Sequence, residues 1–341
     1  MKTLYYPTWQ RLEIADLPRP IPGPDEVLLR VAACGICGSE LDSFREKSAR
    51  RTPPLIMGHE FCGEIVNAGS AVSGRHAHEQ VIAHSVIHCG QCAACERGDT
   101  NLCESRQVFG MHRPGAFAEY VCVPERVLIN WSAGLAAAHA TLVEPLANGI
   151  NALRQGKSGR HERVVVIGAG PIGLMCALAA LRLYASDVLI ADLIPERLDA
   201  AQRLGVLRTV NPSATDIVRE VSRAWSGKGA SHVIDAVGSA RTKALALELA
   251  EAGGTVVWLG LKDNAIQIDS YSITLRQLMV AGSYAGSIAD LKQAADLLTQ
   301  QPPDLSWVTT YPLDKGETAF YDMLEAQHGK IKGILQMHEG N

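Results

Sequence analysis

The pattern of hydrophobic residues divides the chain into two differently organised parts. Up to about residue 145 the apolar positions form short runs separated by glycine and proline, and four of these runs predict strands, at residues 26–33, 62–66, 80–87 and 117–124. From about Val164 onward, strand-like apolar runs alternate with segments of helical spacing, which is typical of βαβ units around a parallel sheet. The pattern therefore predicts an irregular β-rich domain followed by a doubly wound α/β domain.

The second part has a regular order of predicted elements. Its strands are predicted at residues 164–167, 188–191, 233–237, 255–259 and 279–283, and its helices at residues 171–184, 195–204, 214–225 and 242–252. After residue 285 we predict one more helix, 288–300, and a closing strand, 331–336, which return to the first domain. The predicted domains are residues 1–146 with 286–341, and residues 147–285, a division that suits 341 residues.

Composition and charge exclude several classes of partner. Hydrophobic residues make up 47% of the chain, charged residues 20%, and the net charge is −4, as in ordinary globular proteins. The pair Arg50 and Arg51 is too short a basic run to follow a phosphate backbone, so no nucleic-acid partner is expected. No stretch reaches the roughly 18 apolar residues of a membrane span, and no signal peptide opens the chain. We expect a cytoplasmic protein with no membrane partner.

A glycine-rich turn follows the first strand of the predicted parallel sheet. The spacing Gly168-x-Gly170-x-x-Gly173 allows a tight turn, close approach of a pyrophosphate and close packing of the following helix, whose N-terminus favours phosphate. Asp192 lies nineteen residues beyond Gly173, where a carboxylate accepts hydrogen bonds from adenosine ribose hydroxyls and repels a 2′-phosphate. The turn predicts a dinucleotide site that favours NAD over NADP. The alternative is an ordinary glycine turn with a surface aspartate.

Four of the nine cysteines lie within fifteen residues, at Cys89, Cys92, Cys95 and Cys103. This spacing lets one loop wrap a tetrahedral ion without a ligand from elsewhere, so it predicts a closed, structural zinc site. An iron–sulfur cluster or two disulfides are the alternatives, and a reducing compartment argues against the disulfides.

A second set of potential ligands is dispersed along the chain. Cys37 lies in GICGSE, His59 and Glu60 lie in GHE, and Glu144 lies in VEPL. One thiolate, one imidazole and one or two carboxylates suit a zinc site with an open position. Taken singly, the fragments have other interpretations: a satisfied His–Glu pair, or a redox C-x-x-C formed by Cys34 and Cys37.

Taken together, these motifs resemble one known family over essentially the whole chain. GICGSE, GHE, the four-cysteine loop, RPGAFAEY, VEPLAN, VIGAGPIG and DLIPER are similar to the zinc-containing medium-chain dehydrogenase/reductase family, in particular its polyol, sugar-acid and threonine dehydrogenases. The resemblance implies a GroES-like catalytic domain, a Rossmann domain, one catalytic and one structural zinc, and hydride transfer from a secondary alcohol to NAD. A sheet edge near residues 279–284 further suggests a homodimer or homotetramer.

The resemblance also assigns roles to residues. Cys37 and His59 become catalytic zinc ligands, Glu60 and Glu144 compete for the third position, and Ser39 receives the alcohol proton. The contacts to the dinucleotide are assigned to Gly168, Gly170, Ile172, Gly173, Asp192, Arg197, Leu259, Gly260, Leu261, Ser283 and Tyr284.

The chain departs from the family pattern beside the catalytic cysteine. Glu40 replaces the usual aspartate, and Asp42 replaces a histidine that relays protons. The usual relay is therefore absent, and the proton is expected to leave through the cofactor ribose or water.

The substrate expected from the resemblance is a polyol, a sugar acid or a sugar phosphate. L-Threonine is the second candidate, because RPGAFAEY is also close to the threonine dehydrogenase pattern, and Arg113 in that motif is either an anion contact or a solvated side chain. A non-catalytic NAD(H)-binding sensor and a zinc-free quinone reductase are the other classes. The sensor should lack Cys37, His59 or Glu144, and the reductase should lack both GHE and the cysteine loop.

Overall fold

The polypeptide path is described by a computed structural model at residues 1–156, 162–184, 186–325 and 330–337. The chain divides into two units, Met1–Glu144 with Ser287–Asn341, and Pro145–Gly286. Residues 326–329 and 338–341 of the predicted first domain, and residues 157–161 and 185 of the second, lie outside the described residues.

The first 144 residues are rich in short strands. The strands are β1 (Lys2–Thr8), β2 (Arg11–Asp16), β3 (Glu26–Gly35), β4 (Leu55–Ile56), β5 (Glu60–Ala68), β6 (Gln80–Ala83), β7 (Val86–Ile87), β8 (Gln107–Val108), β9 (Tyr120–Pro124) and β10 (Leu128–Asn130). The helices are α1 (Gly38–Glu46), α2 (Ala93–Glu96) and α3 (Ala137–Thr141), and short 3-10 turns lie at Thr100–Leu102 and Glu125–Val127.

The second unit alternates strands and helices. Its helices are α4 (Val143–Arg154, which begins in the first unit), α5 (Pro171–Tyr184), α6 (Pro195–Arg203), α7 (Ile217–Ala224), α8 (Ala240–Leu249) and α9 (Tyr271–Thr274). Its strands are β11 (Arg163–Ile167), β12 (Asp187–Ala191), β13 (Arg208–Val210), β14 (Ala230–Asp235), β15 (Ala250–Trp258) and β16 (Met279–Gly282).

The last part of the chain belongs to the first unit. It contains α10 (Ile288–Gln300), β17 (Val308–Pro312), a 3-10 turn at Leu313–Lys315, α11 (Gly316–Glu325) and β18 (Lys332–Gln336). Strand β18 pairs antiparallel with β3, with Ile334 opposite Gly35, so the end of the chain adds a strand to the main sheet of the first unit.

The main sheet of the first unit brings two of the predicted site fragments together. Its strand order is β10-β6-β5-β3-β18-β17, with β9 also paired to β3. The apolar strand β3 lies at the centre, and its last residue, Gly35, is opposite Glu60 at the start of β5. The segment that contains Cys37 therefore leaves the sheet beside the segment that contains His59.

The second unit has a six-stranded sheet in the order β13-β12-β11-β14-β15-β16, and every neighbouring pair is parallel. The sequence goes from β11 outward to β13 on one side and from β14 outward to β16 on the other, which confirms the doubly wound prediction. The glycine turn at residues 168–173 and the loops after β12, β15 and β16 all leave the carboxyl ends of these strands.

Some predicted boundaries are wrong for identifiable reasons. Residues 80–87 form two strands, because β6 pairs with β5 and β10 whereas β7 pairs with β8 in another sheet. The predicted helix 242–252 begins earlier, where Ser239 caps α8, and ends at Leu249 because the next residue enters β15. The strand predicted at 233–237 lies at Ala230–Asp235.

The glycine turn gives a stability prediction with a built-in control. A Cβ added at Gly173 would lie 1.8 Å from the carbonyl oxygen of Gly168, whereas one added at Gly170 would have no atom within 4 Å. We expect Gly173→Ala to reduce the free energy of unfolding by about 3 kcal/mol or more, because a backbone clash cannot relax as a flexible side chain can. Gly170→Ala should unfold close to wild type in urea. Equal midpoints for the two variants would contradict this account.

Candidate active site

Cys37 occupies the residue that precedes helix α1. It follows β3 by two residues, and its extended backbone (φ −90°, ψ 145°) starts the helix at Gly38. Its N–H donates to the carboxylate of Glu40 at 3.0 Å, which satisfies a backbone group that has no partner within the helix. The local sequence thus fixes the direction in which the Cys37 side chain leaves the backbone.

Glu40 also binds the segment that contains His59. Its Oε1 atom accepts the N–H of Gly58 at 2.8 Å and lies 3.0 Å from Nδ1 of His59. Burial alone would raise the pKa of Glu40, but His59, Arg51 and the Cys37 N–H lower it to about 2. A carboxylate that is ionised near neutral pH therefore joins the two segments and orients the His59 ring.

Cys37, His59 and Glu60 form one cluster of potential ligands. Their ligand atoms all lie within 4.8 Å of one another. Burial would lower the pKa of His59, but the charges of Glu40 and Cys37 raise it well above its usual range. The groups around the ring therefore favour a positive charge, whether a proton or a metal ion. A thiolate, an imidazole and a carboxylate are the donor types of a catalytic zinc site, and three protein ligands leave a position for another molecule.

Glu60 is paired with a buried lysine from the other end of the chain. Lys332 on β18 donates to Oε2 of Glu60 and, at 2.9 Å, to the carbonyl oxygen of Ile36. Burial would lower the pKa of Lys332, but Glu60 and Cys37 raise it, so the lysine remains protonated. Within the described part of the chain, no donor contacts Oε1 of Glu60, which leaves that oxygen available to a metal.

Glu144 is buried near the same cluster but outside its 4.8 Å limit. Its Oε1 atom accepts the hydroxyl of Ser85 at 2.7 Å. Burial and the negative charge of Glu60 raise the pKa of Glu144, while His59 and Ser85 lower it. The two candidate carboxylates thus have different partners, an ammonium for Glu60 and a hydroxyl for Glu144.

Three other residues considered in the sequence analysis, Ser39, Asp42 and Arg113, have the following contacts. Ser39 donates its hydroxyl to Sγ of Cys37 at 3.3 Å. Asp42 is 65% exposed and lies 3.8 Å from Arg45, so it faces solvent instead of continuing a relay. Arg113 lies 2.5 Å from Glu26 and 5.6 Å from the ring of Phe109, so its guanidinium is paired with a carboxylate of the protein.

The four-cysteine loop brings its sulfur atoms together. Cys89, Cys92, Cys95 and Cys103 are free thiols, and all four Sγ atoms lie within 4.8 Å of one another. The N–H of Gln91 is the main cause that lowers the pKa of Cys89, to about 6. Four clustered sulfurs, one of them an easily formed thiolate, suit a closed tetrahedral zinc site.

The glycine turn in the second unit has the geometry that a pyrophosphate needs. Gly168 adopts φ +95°, which disfavours any side chain, and its N–H donates to the carbonyl of Ala191 at 2.7 Å. The open space at the Cβ position of Gly170 is the cradle that a phosphate would fill. Ile172 and Gly173 lie in the first turn of α5.

Asp192 closes this turn from the end of β12. Its carboxylate accepts the N–H groups of Ala169 at 2.7 Å and Ile194 at 2.9 Å, and Arg197 lies 3.6 Å away. The predicted adenosine-side residues therefore meet at one end of the sheet, with the aspartate anchored to the glycine turn itself.

The residues predicted to line the nicotinamide side follow β15 and β16. The N–H groups of Leu259 and Gly260 donate to the carbonyl of Asp235 at 3.0 and 2.9 Å, and Leu261 is 66% exposed. After β16, Asn151 of α4 donates to the hydroxyl of Ser283 at 3.2 Å and to the carbonyl of Tyr284 at 3.4 Å. These segments lie at the same sheet end as the glycine turn.

The sequence did not predict the contacts that four residues make in these sites: Glu40, Arg51, Asn151 and Lys332. Glu40 had a local signal, because it lies three residues after Cys37, the spacing of a helix-capping carboxylate. The other three bind residues far away in the sequence or in another element, and no motif marks them.

Comparison with known proteins finds a described domain family for each part of the chain. Residues 23–133 match the alcohol dehydrogenase GroES-like domain, and residues 171–300 match the zinc-binding dehydrogenase domain. The chain is 34% identical to an L-threonine 3-dehydrogenase of Saccharopolyspora erythraea, over 94% of each chain. It is 31% identical to the L-galactonate-5-dehydrogenase of Escherichia coli K12, over 96% of this chain and 95% of that one.

A solved structure extends the similarity to the whole fold. An NADP-bound protein from Sinorhizobium meliloti 1021 superposes with a TM-score of 0.88 at 32% identity, covering 98% of this chain and 99% of that one. The GroES-like and zinc-binding dehydrogenase matches, the full-length relatives and this shared architecture lead to one conclusion. The chain belongs to the zinc-containing medium-chain dehydrogenase/reductase family.

Proposed function

We propose that this protein is a zinc-dependent oxidoreductase that transfers a hydride from a secondary alcohol of a polyol, sugar acid or sugar phosphate to NAD. The cluster of Cys37, His59 and Glu60, whose ligand atoms lie within 4.8 Å, carries the proposal. The unit that contains it is the catalytic domain, and the unit with the glycine turn is the dinucleotide-binding domain.

The proposed chemistry divides between the bound groups and the protein. A zinc ion, when bound, lowers the pKa of an alcohol hydroxyl by several units, and the nicotinamide accepts the hydride. Cys37 and His59 bind the ion, and the His59 ring is oriented by Glu40. Ser39, whose hydroxyl lies 3.3 Å from Cys37 Sγ, would accept the alcohol proton while its own hydroxyl proton passes to water or the cofactor ribose. A second zinc, held by the four cysteines, is structural.

Glu60 is the better supported third ligand. It belongs to the cluster, and its Oε1 atom has no donor among the described residues, whereas Oε2 accepts from Lys332. Glu144 is bound to Ser85 and has a raised pKa, which disfavours the ionised form that a metal needs. Glu144 then acts as the nearby group that exchanges with Glu60 or assists as a base.

NAD is favoured by the position of Asp192. Its carboxylate is held at the glycine turn by two backbone N–H groups, where a 2′-phosphate would meet a fixed negative charge. NADP is the competing cofactor, because Arg197 lies 3.6 Å from this carboxylate and the similar Sinorhizobium protein is bound to NADP.

The substrate class is supported by the relatives and by the position of Arg113. One similar protein is a dehydrogenase of a sugar acid, and another is an L-threonine 3-dehydrogenase, which keeps threonine as the second candidate. Arg113 pairs with Glu26 instead of offering a free cation, so this residue does not restrict the substrate to a carboxylate.

The proposed enzyme works as a homodimer or homotetramer on a small molecule in the cytoplasm. Strand β16 lies at the edge of its sheet, with Met279 38% exposed, so a second subunit has backbone groups to pair with.

No helix in the described parts of the chain is both long enough and apolar enough to span a bilayer. The sensor alternative is disfavoured by the presence of Cys37, His59 and Glu144.

The substrate proposal predicts the outcome of a panel assay. Polyols, sugar acids, sugar phosphates and L-threonine are each incubated with NAD and with NADP, and the reduced cofactor is followed by absorbance. We expect the highest kcat/KM for a polyol or sugar-derived alcohol with NAD. Selective oxidation of L-threonine would contradict the substrate class, and preference for NADP would contradict the role of Asp192.

The zinc proposal predicts a selective loss in Cys37→Ala. Zinc content should fall from about two ions per chain to about one, because the four-cysteine site is intact. Oxidation should fall by roughly 10³-fold, the equivalent of several kcal/mol of lost Lewis-acid stabilisation. NAD binding, measured by calorimetry, should be unchanged. Cys122→Ala is the matched control, because Cys122 is a half-buried cysteine on β9 that lies outside both clusters. This variant should keep two zinc ions per chain.

The choice of third ligand predicts different results for two isosteric variants. Glu60→Gln removes the anionic ligand and leaves Lys332 without its partner, so we expect catalytic zinc affinity to fall by about 100-fold or more. Glu144→Gln keeps a hydrogen bond with Ser85 and should weaken zinc by less than about tenfold. Chelator competition measures both. The reverse order would assign the direct ligand to Glu144.

A further inference from the structure

A buried arginine lies against the first turn of the helix that carries the catalytic cysteine. Arg51 is 2% exposed, and its guanidinium hydrogen-bonds to residues of α1. Its Nη1 atom donates to the carbonyl of Ser39 at 2.9 Å and to the hydroxyl of Ser43 at 3.1 Å. Its Nη2 atom donates to the hydroxyl of Ser39 at 3.1 Å.

These bonds determine which way the Ser39 hydroxyl points. A guanidinium only donates, so the Ser39 oxygen must accept from Arg51 and its own hydrogen must go elsewhere. That hydrogen is directed to Sγ of Cys37, 3.3 Å away. Arg51, Ser39 and Cys37 therefore form one directional chain of hydrogen bonds that ends on a ligand of the proposed zinc site.

The position of Arg51 has a chemical consequence for Ser39. A guanidinium has no lone pair and does not deprotonate in proteins, so it cannot take a proton from the serine. Asp42, on the same helix, faces solvent beside Arg45. The guanidinium acts on Ser39 by fixing it, not by relaying its proton.

We propose that Arg51 is a positioning residue that acts through Ser39: it holds the Ser39 hydroxyl as a donor to the Cys37 thiolate and so sets the affinity of the catalytic zinc site. The inference rests on the proposed function, since it takes Cys37 as a zinc ligand. Groups that hydrogen-bond a metal ligand change metal affinity by about 10–100-fold when they are removed.

A purely structural role for Arg51 makes a different prediction. The Nη1 bonds to the Ser39 carbonyl and to Ser43 hold the backbone of α1, and they remain when the Ser39 hydroxyl is deleted. If Arg51 only supported the helix, its loss would have the same effect with or without that hydroxyl. If it acts through the hydroxyl, its effect disappears in the Ser39→Ala background.

The test is a double-mutant cycle on the zinc-loaded protein. Catalytic zinc affinity is measured by chelator competition in wild type, Ser39→Ala, Arg51→Met and the double variant, and Cys37→Ala identifies the catalytic phase of zinc release. We expect each single variant to weaken this site by about tenfold and the double variant by about tenfold as well, not about a hundredfold. Additive losses would overturn the proposal.

Two further variants test whether zinc affinity depends on the paired hydrogen bonds of the Arg51 guanidinium or only on its charge. Arg51→Lys keeps the charge but has one nitrogen, which cannot reproduce the paired bonds to the carbonyl and hydroxyl of Ser39, so it should behave like Arg51→Met. Wild-type affinity in Arg51→Lys would overturn the proposal. Ser43→Ala removes the other partner of the same guanidinium and should leave zinc affinity within about twofold of wild type.

The design distinguishes failure of this inference from failure of the proposed function. If Cys37→Ala releases no zinc relative to wild type, the catalytic site itself is refuted. If the site binds zinc but the cycle is additive, only the role of Arg51 is refuted. Should Arg51→Met fail to fold, the same cycle is carried out with Arg51→Lys, which retains the buried cation.

Discussion

The buried carboxylate of Glu40 is the interaction on which the proposed zinc site depends. It binds the N–H of Cys37, the N–H of Gly58 and the ring of His59, so it joins two segments that leave neighbouring strands. Removing a carboxylate from water costs several kcal/mol unless its oxygens are satisfied by well-placed donors. The carboxylate is therefore stable only when both segments are in place, and that makes the positions of the two ligands interdependent.

The fold was predictable where local signals and long-range pairing agreed. The helices at 171–184 and 288–300 were predicted with their observed bounds, because Pro171 and Ser287 mark where they start. The single strand predicted at 80–87 was wrong, since its apolar pattern continues across the point where the chain changes sheets. Strand β17 was not predicted, because its residues are mostly polar or half-buried and its identity comes from pairing with β18.

The sequence predicted the potential ligands of the candidate site, but not the residues that hold those ligands in place. The four cysteines lie in one loop, so spacing alone predicted the cluster, whereas Cys37 and His59 required the resemblance to connect separate motifs. Lys332 reaches Glu60 only because β18 pairs with β3 in one particular register. A contact across 272 positions leaves no local pattern in the sequence. Arg51 is similar, because a lone arginine in a loop usually faces solvent.

The charges buried around the cluster explain why the site needs Arg51 and Lys332. Glu60 pairs with Lys332, and the positive charge of Arg51 helps to lower the pKa of the Glu40 carboxyl. Both of these buried carboxylates therefore have a buried cation nearby. An unpaired buried carboxylate costs several kcal/mol and tends to take up a proton, so the arginine and the lysine keep both groups ionised. In the proposed zinc site the two cations would also offset the two carboxylates, so that a bound divalent ion would keep more of its charge for polarising an alcohol.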